Sequence, residues 1–174
     1  MGSASYVIGQ YLIGLGSNRP HGRHGPPERV IRAAIDALAA EGVVVRRVSR
    51  VLRTPAMGPS DRDFANAAVL VESDLPPLTL LALLHRIERA FGRRRYRRWG
   101  ARVLDLDILL WSGGVWASRR LTVPHPGLAL RDFALGPACE IAPGWRQPGR
   151  NRTLRQLAGQ LRKPRPVDRA RRTP

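Results

Sequence analysis

The feature that most restricts the fold of this chain is the way hydrophobic period changes along its first 110 residues. Gln10 to Leu15 reads as a strand, and Pro27 to about Glu41 as a helix whose Ile31, Ile35 and Leu38 recur at i, i+4 and i+7. Gly42 follows as a C-terminal cap. Val43 to Leu52 is β-branched, but V-V-V-R-R-V breaks the alternation, so the pattern predicts a strand with a bulge. From Phe64 to Val71, Ala65, Ala67, Val69 and Val71 alternate with Phe64, Asn66, Ala68 and Leu70. A second helix opens at Pro76 and Pro77, with Leu80, Leu84, Ile87 and Phe91 on one stripe and His85 and Glu88 on another. From Val103 the period returns to two, placing Leu104, Leu106, Ile108 and Leu110 on one face.

The order is strand, helix, strand, strand, helix, strand. That is a split βαβ repeat, which predicts an α+β fold of the ferredoxin-like kind: a βαββαβ core with both helices on one face of an antiparallel sheet. The other face is expected to stay open to ligands. Beyond Leu110, Ser112-Gly113-Gly114 is expected to turn the chain back into a short V-W-A-S hairpin strand. F-A-L-G-P-A-C-E-I-A-P reads as a short packing helix, and Thr153 to Leu161 as an amphipathic helix capped by Thr153. A length of 174 residues fits one domain. The expected limits are a flexible lead-in over residues 1–9, the domain over 10–161, and a basic disordered tail over 162–174.

Two functional classes are weakened by composition. The net charge of +17 invites a nucleic-acid reading, yet Lys163 is the only lysine in a chain also rich in Ala, Gly and Pro. This is the signature of compositional drift towards arginine, and no nucleic-acid partner is expected. No apolar run approaches the roughly 20 residues needed to span a bilayer, and the N-terminus lacks the regions of a signal peptide. Cys139 is the sole cysteine, which excludes an intrachain disulfide; its apolar setting suggests a small core residue. A cytoplasmic monomer is expected.

The chemistry concentrates between Gly92 and Leu110. Asp105 and Asp107, at i and i+2 on a strand, share the face opposite the leucines. Two carboxylates held together repel unless a cation offsets them, and Mg²⁺ is commonly held by one or two carboxylates plus substrate phosphates. Arg93, Arg94, Arg95, Arg97, Arg98 and Arg102 lie just upstream, and guanidinium forks match phosphate oxygens. A D-x-D pair alone is more often a solvated strand face. Combined with an arginine run bracketed by Gly92 and Gly100 and carrying Trp99, it points to phosphoryl or nucleotidyl transfer on a polyphosphate, with residues 92–102 acting as a lid. Asn66 and Phe64 share a strand face, where a planar ligand competes with the plainer reading of a satisfied edge asparagine. Gly16, in G-S-N, is read as permitting a tight turn.

Seven segments then appear in a specific order: G-L-G-S-N (14–18), R-T-P-A-M-G-P (53–59), F-A-N (64–66), I-E-R-A-F-G-R-R-R (87–95), R-W-G-A-R-V-L-D-L-D-I (98–108), L-T-V-P-H-P (121–126) and R-D-F (131–133). Over about Tyr11 to Leu161 the chain resembles the 6-hydroxymethyl-7,8-dihydropterin pyrophosphokinases of folate synthesis. The resemblance implies a ferredoxin-like core and transfer of the β,γ-diphosphate of ATP, the co-substrate, to the pterin hydroxymethyl oxygen, with two Mg²⁺ ions and release of AMP. By position, it implies that Asp105 and Asp107 hold both metals and that Arg93 and Arg102 bind phosphates and organise the transition state. Arg95, Glu88, Arg120, Thr122 and His125 would serve ATP. Phe64 and Phe133 would sandwich the pterin, read by Asn66 and by the backbone of Thr54, Pro55 and Met57, with Trp99 closing over it and Arg131 nearby.

The chain departs from the family pattern at Leu52, where Tyr is usual, at Ala101 for Pro, at His85 for Gln, and in the S-D-R-D loop before Phe64. No metal or phosphate ligand is lost. A modified pterin as substrate is the alternative reading, with a basic nucleic-acid module a more distant one.

Overall fold

The computed structural model describes residues 8–55, 62–92 and 103–162. Five strands form the principal sheet: β1 (Gly9–Ser17), β2 (Val44–Val48), β3 (Leu52–Thr54), β4 (Phe64–Ser73) and β5 (Asp105–Trp111). Their order is β2-β4-β1-β5, with β3 pairing the beginning of β4, and every pairing is antiparallel. Helices α1 (Pro27–Ala40) and α2 (Pro77–Ala90) each begin with proline at the first helical position, where the missing N–H costs nothing. Gly42 and Gly92, with φ of 83° and 78°, take the left-handed conformation just past the two helices.

One face of the sheet packs against α1 and α2. Tyr11, Ile13 and Leu15 of β1, Ala67, Val69 and Val71 of β4, and Leu106 and Ile108 of β5 meet Ile31, Leu38, Leu80, Leu84 and Ile87 in a single buried cluster. Tyr11 is 1% exposed, and its hydroxyl donates to the Leu75 carbonyl at 2.6 Å. Burial pushes its pKa up to about 12 from 10.0. The folded state therefore keeps a proton that the unfolded chain gives up above pH 10, so the stability Tyr11 contributes is full below pH 10 and is lost as pH rises through about 12. Tyr11→Phe is expected to flatten this alkaline limb in denaturant titrations, while costing about 1 kcal/mol at neutral pH for the lost hydrogen bond.

The expectation that the second face stays open is corrected. Helices α3 (Asp132–Ile141) and α4 (Leu154–Leu161) bury Leu12, Ala68, Leu109 and Leu110 there with Leu128, Leu135, Leu154 and Leu157. Cys139 is half-buried against this second cluster. A bulge makes the coverage possible. Ile13 pairs Ile108 but Leu12 pairs Leu110, so Leu109 is an extra residue and parity reverses beyond it. Leu110 was expected on the face of Leu106 and Ile108, and the bulge turns it to the opposite one.

The remaining strands also differ from expectation. The stretch from Val43 to Leu52 divides into β2, with the anticipated bulge between Val45 and Arg47, and the start of β3. Trp116–Ala117 (β6) pairs Thr122–Val123 (β7) rather than turning back on β5. Arg146–Gln147 (β8) pairs Arg152–Thr153 (β9), a hairpin that periodicity did not reveal. Thr153 caps α4 as read, in a reciprocal box with Gln156.

Candidate active site

The open part of the second face lies where the bulge leaves the aspartates. Asp105 pairs Gly16 and Asp107 pairs Gly14, while Gly16 and Gly14 pair Asn66 and Ala68 on the other side. Directly opposed residues share a face, so Asn66, Gly16 and Asp105 form one row and Ala68, Gly14 and Asp107 the next. The alternating neighbours Leu15, Leu106 and Ala67 point into the helix-covered core. Both aspartates are half-buried. With strands about 4.8 Å apart, Asn66 and Asp105 stand roughly 10 Å from one another across Gly16.

Gly16 is not the turn residue expected. It lies inside β1, and a Cβ built on it would sit 3.4 Å from the Asn66 Oδ1. Its role is to leave backbone as the floor between an amide and a carboxylate. Gly14 does something different, since a Cβ there would meet the Leu109 side chain at 3.3 Å. The bulged leucine leans over Gly14 and closes the apolar half of the face.

Asn66 is 6% exposed and its Nδ2 donates to Thr54 Oγ1 at 2.9 Å, which fixes the amide and turns Oδ1 towards the row. Thr54 pairs Phe64, so β3 brings Thr54 and the exposed Pro55 to the same corner. Leu52, 38% exposed, pairs Asn66. Phe64 also lines a cavity of about 340 Å³ with Asn18, Arg53 and Arg62. Arg131 stands at the entry to α3 with its guanidinium carbon 5.8 Å from the centre of the half-buried Phe133 ring. Both residues stand at the start of α3, the helix that packs on β4 and touches β3.

The segment containing Arg120, Thr122 and His125 is strapped beside β5. The His125 amide donates to the Leu109 carbonyl at 2.9 Å, and its Nδ1 accepts from Gly127 N–H at 3.0 Å. That bond leaves the neutral ring protonated on Nε2. Arg120 and Thr122 are exposed. The tertiary structure thus brings Asp105, Asp107, Asn66, Thr54 and Phe64 to one corner and His125 to the neighbouring edge.

Glu88 departs most from expectation. It was read on a separate stripe from Leu84 and Ile87, but it is 1% exposed beneath the sheet, and its Oε1 accepts the Leu106 N–H at 2.8 Å. His85, by contrast, is exposed. A stack that sequence reading missed closes the end of α2: His24 lies 4.8 Å from both His21 and Phe91, ring centre to ring centre. Burial, then the neighbouring His21 and Arg23, lowers the His24 pKa. Arg93, Arg95, Trp99, Arg102 and Met57 lie outside the described residues, as does the lid expected from the arginine run.

Two carboxylates on one half-exposed face could hold a cation completed by substrate oxygens.

Residues 12–143 match the family described as 7,8-dihydro-6-hydroxymethylpterin-pyrophosphokinase. The chain is 39% identical over 151 residues to the 2-amino-4-hydroxy-6-hydroxymethyldihydropteridine pyrophosphokinase of Synechocystis sp., covering 86% of this chain and 75% of that one. It is 42% identical over 133 residues to the enzyme of the same name from Methylorubrum extorquens, covering 75% and 81%. Its fold matches that of wild-type Plasmodium falciparum HPPK-DHPS with a TM-score of 0.67 at 12% identity, over 91% of this chain. It spans 45% of that longer chain, less than half its length.

Proposed function

The chain belongs to the 7,8-dihydro-6-hydroxymethylpterin-pyrophosphokinase family, and from that membership we propose how its site performs the reaction. The enzyme transfers diphosphate from ATP to 6-hydroxymethyl-7,8-dihydropterin in folate biosynthesis. The acceptor hydroxyl oxygen forms a bond to the β-phosphorus of ATP and releases its proton to solvent. The bond from that phosphorus to the oxygen bridging the α-phosphorus breaks, and AMP leaves with the bridging oxygen.

The observation that carries this reading is the row Asn66, Gly16, Asp105. Asn66 reads the polar edge of a planar bicycle, with Thr54, Pro55 and Met57 supplying backbone contacts and Phe64 and Phe133 stacking on its faces. The bicycle spans the bare floor of Gly16, so its hydroxymethyl arm ends at the aspartates. Asp105 and Asp107 would hold two Mg²⁺ ions, whose chemistry when bound is to neutralise charge on the reacting phosphates. Arg93, Arg95 and Arg102 grip phosphate oxygens, while Arg120, Thr122 and His125 serve ATP along β5. Trp99 and Arg131 close over the pterin. Such transfer needs positioning and charge stabilisation more than covalent help from the protein.

The strand order β2-β4-β1-β5 around two helices supports the ferredoxin-like reading of the core. A single catalytic domain over residues 10–161, acting as a cytoplasmic monomer, belongs to the same proposal. Among the described residues no helix is long and apolar enough to cross a membrane.

Incubation with ATP, Mg²⁺ and 6-hydroxymethyl-7,8-dihydropterin, followed by separation of nucleotides, is expected to yield AMP in step with pterin diphosphate. ADP as the nucleotide product would overturn the mechanism.

A further inference from the structure

We propose that Glu88 is a positioning residue for the metal-holding aspartates, acting from the helix side of the sheet through the backbone between them. The inference deepens the pyrophosphokinase reading and rests on it. Glu88 is an ionisable side chain only 1% exposed, and a carboxylate that deep is retained only where strong donors meet it. One donor is the Leu106 N–H at 2.8 Å.

Leu106 is the residue between Asp105 and Asp107. Its side chain belongs to the core under α1 and α2, so the two aspartates leave the strand on the opposite face. β5 ends the path β2-β4-β1-β5, and among the described residues its one strand partner is β1. In an antiparallel pair, amides alternate between facing the partner and facing away. An edge amide left to water gives a strand freedom to twist or slip. Glu88 takes that amide through Oε1 and so closes the open edge at Leu106. The Cα positions on either side of Leu106 are thereby set, and with them the spacing of the two carboxylates.

The same bond ties β5 to α2, which ends at Ala90 shortly before the arginine-rich segment. The acid pair and the helix leading to the phosphate-binding arginines therefore share one anchor. The resemblance assigns Glu88 to ATP, and a direct contact with nucleotide is the competing account.

The test is Mn²⁺ binding to the full chain, alone and with a saturating non-hydrolysable ATP analogue, followed by electron paramagnetic resonance, for the parent, Glu88→Ala, Glu88→Gln and Asp107→Ala. The expected result is a roughly 10- to 100-fold weaker Mn²⁺ affinity in Glu88→Ala, as for other residues that hold metal ligands in place. Most of the loss should be recovered in Glu88→Gln, whose side-chain oxygen still accepts the Leu106 amide. In turnover, Glu88→Ala should lower kcat more than it raises KM for the pterin.

Parent-like Mn²⁺ binding by Glu88→Ala with weakened ATP binding would overturn the proposal in favour of direct nucleotide contact. Equal loss in Glu88→Gln and Glu88→Ala would overturn it too, since the acceptor would not be what matters. If Glu88→Ala does not fold, exchange of the Leu106 amide decides the matter in the parent and Glu88→Gln: protection in both supports the anchor, and free exchange in the parent overturns it. A parent that binds no Mn²⁺ even with the ATP analogue, like Asp107→Ala, would instead overturn the metal assignment itself.

Discussion

Asp107→Ala is expected to lower kcat by roughly 1,000-fold, equivalent to about 4 kcal/mol of transition-state stabilisation, while leaving pterin affinity close to that of the parent. The asymmetry follows from the register. Asp107 pairs Gly14, one row beyond Asn66, Gly16 and Asp105, so truncating it leaves Thr54, Asn66 and Phe64 untouched. On the proposed assignment, what would be lost is Asp107's hold on a cation neutralising the reacting phosphates, a contribution that counts most as charge moves to the leaving oxygen. Single-turnover rates together with pterin binding followed by fluorescence separate the two quantities. A variant turning over within tenfold of the parent would remove Asp107 from the site.

Gly16→Val is expected to give a folded, inactive protein. Gly16 lies within β1 in the middle of the sheet, and it is not among the positive-φ glycines, so its backbone accepts a side chain. Glycine in a strand interior costs about 0.5–1 kcal/mol relative to alanine, and valine favours strands. Thermal stability should therefore hold or rise. The side chain, however, would fill the floor between Asn66 and Asp105, the path proposed for the planar acceptor. Its Cβ alone would sit 3.4 Å from the Asn66 Oδ1, leaving the outer methyls in the space of the ring. We expect pterin binding to fall by at least about 100-fold, the order of loss when more than 2.7 kcal/mol of contact is forfeited, with Gly16→Ala intermediate. Parent-like pterin affinity in Gly16→Val would show that the acceptor lies elsewhere.

The aspartate strand was legible because its signal is local. Alternation from Val103 onward puts Leu106 and Ile108 inside and Asp105 and Asp107 outside whatever the strand pairs with. The helix stripes were legible for the same reason, although Glu88 was not. Helical spacing places it three residues from His85, yet the two residues meet opposite fates, one exposed and the other buried against a backbone amide of β5. Nothing within α2 could announce that, because the partner lies 18 residues away on another element. Leu110 failed similarly, since a bulge is a property of two strands in register and not of either alone.

Gly16 shows where local reading misleads. A glycine before Ser17 and Asn18 has the chemistry of a turn, and the tight-turn reading is sound until β4 and β5 are placed on either side of it. Only then does the absent side chain become a feature of the surface rather than of the backbone. The covered half of the second face is a parallel case. The α3 and α4 segments were readable as helices, but the Leu12, Ala68 and Leu110 patch they bury exists only after three strands are aligned.

The sequence by itself therefore determined the order of strands and helices, the side of β5 that carries the acids, and the motifs that place the chain in its family. Periods of two and 3.6 residues and short motifs are written in consecutive side chains. The tertiary structure alone decided which half of the open face remains free, what lies between Asn66 and Asp105, and which group holds the Leu106 amide. Those depend on inter-strand register and on hydrogen-bond partners far apart in the chain, and a backbone amide at a sheet edge takes whichever acceptor folding brings to it.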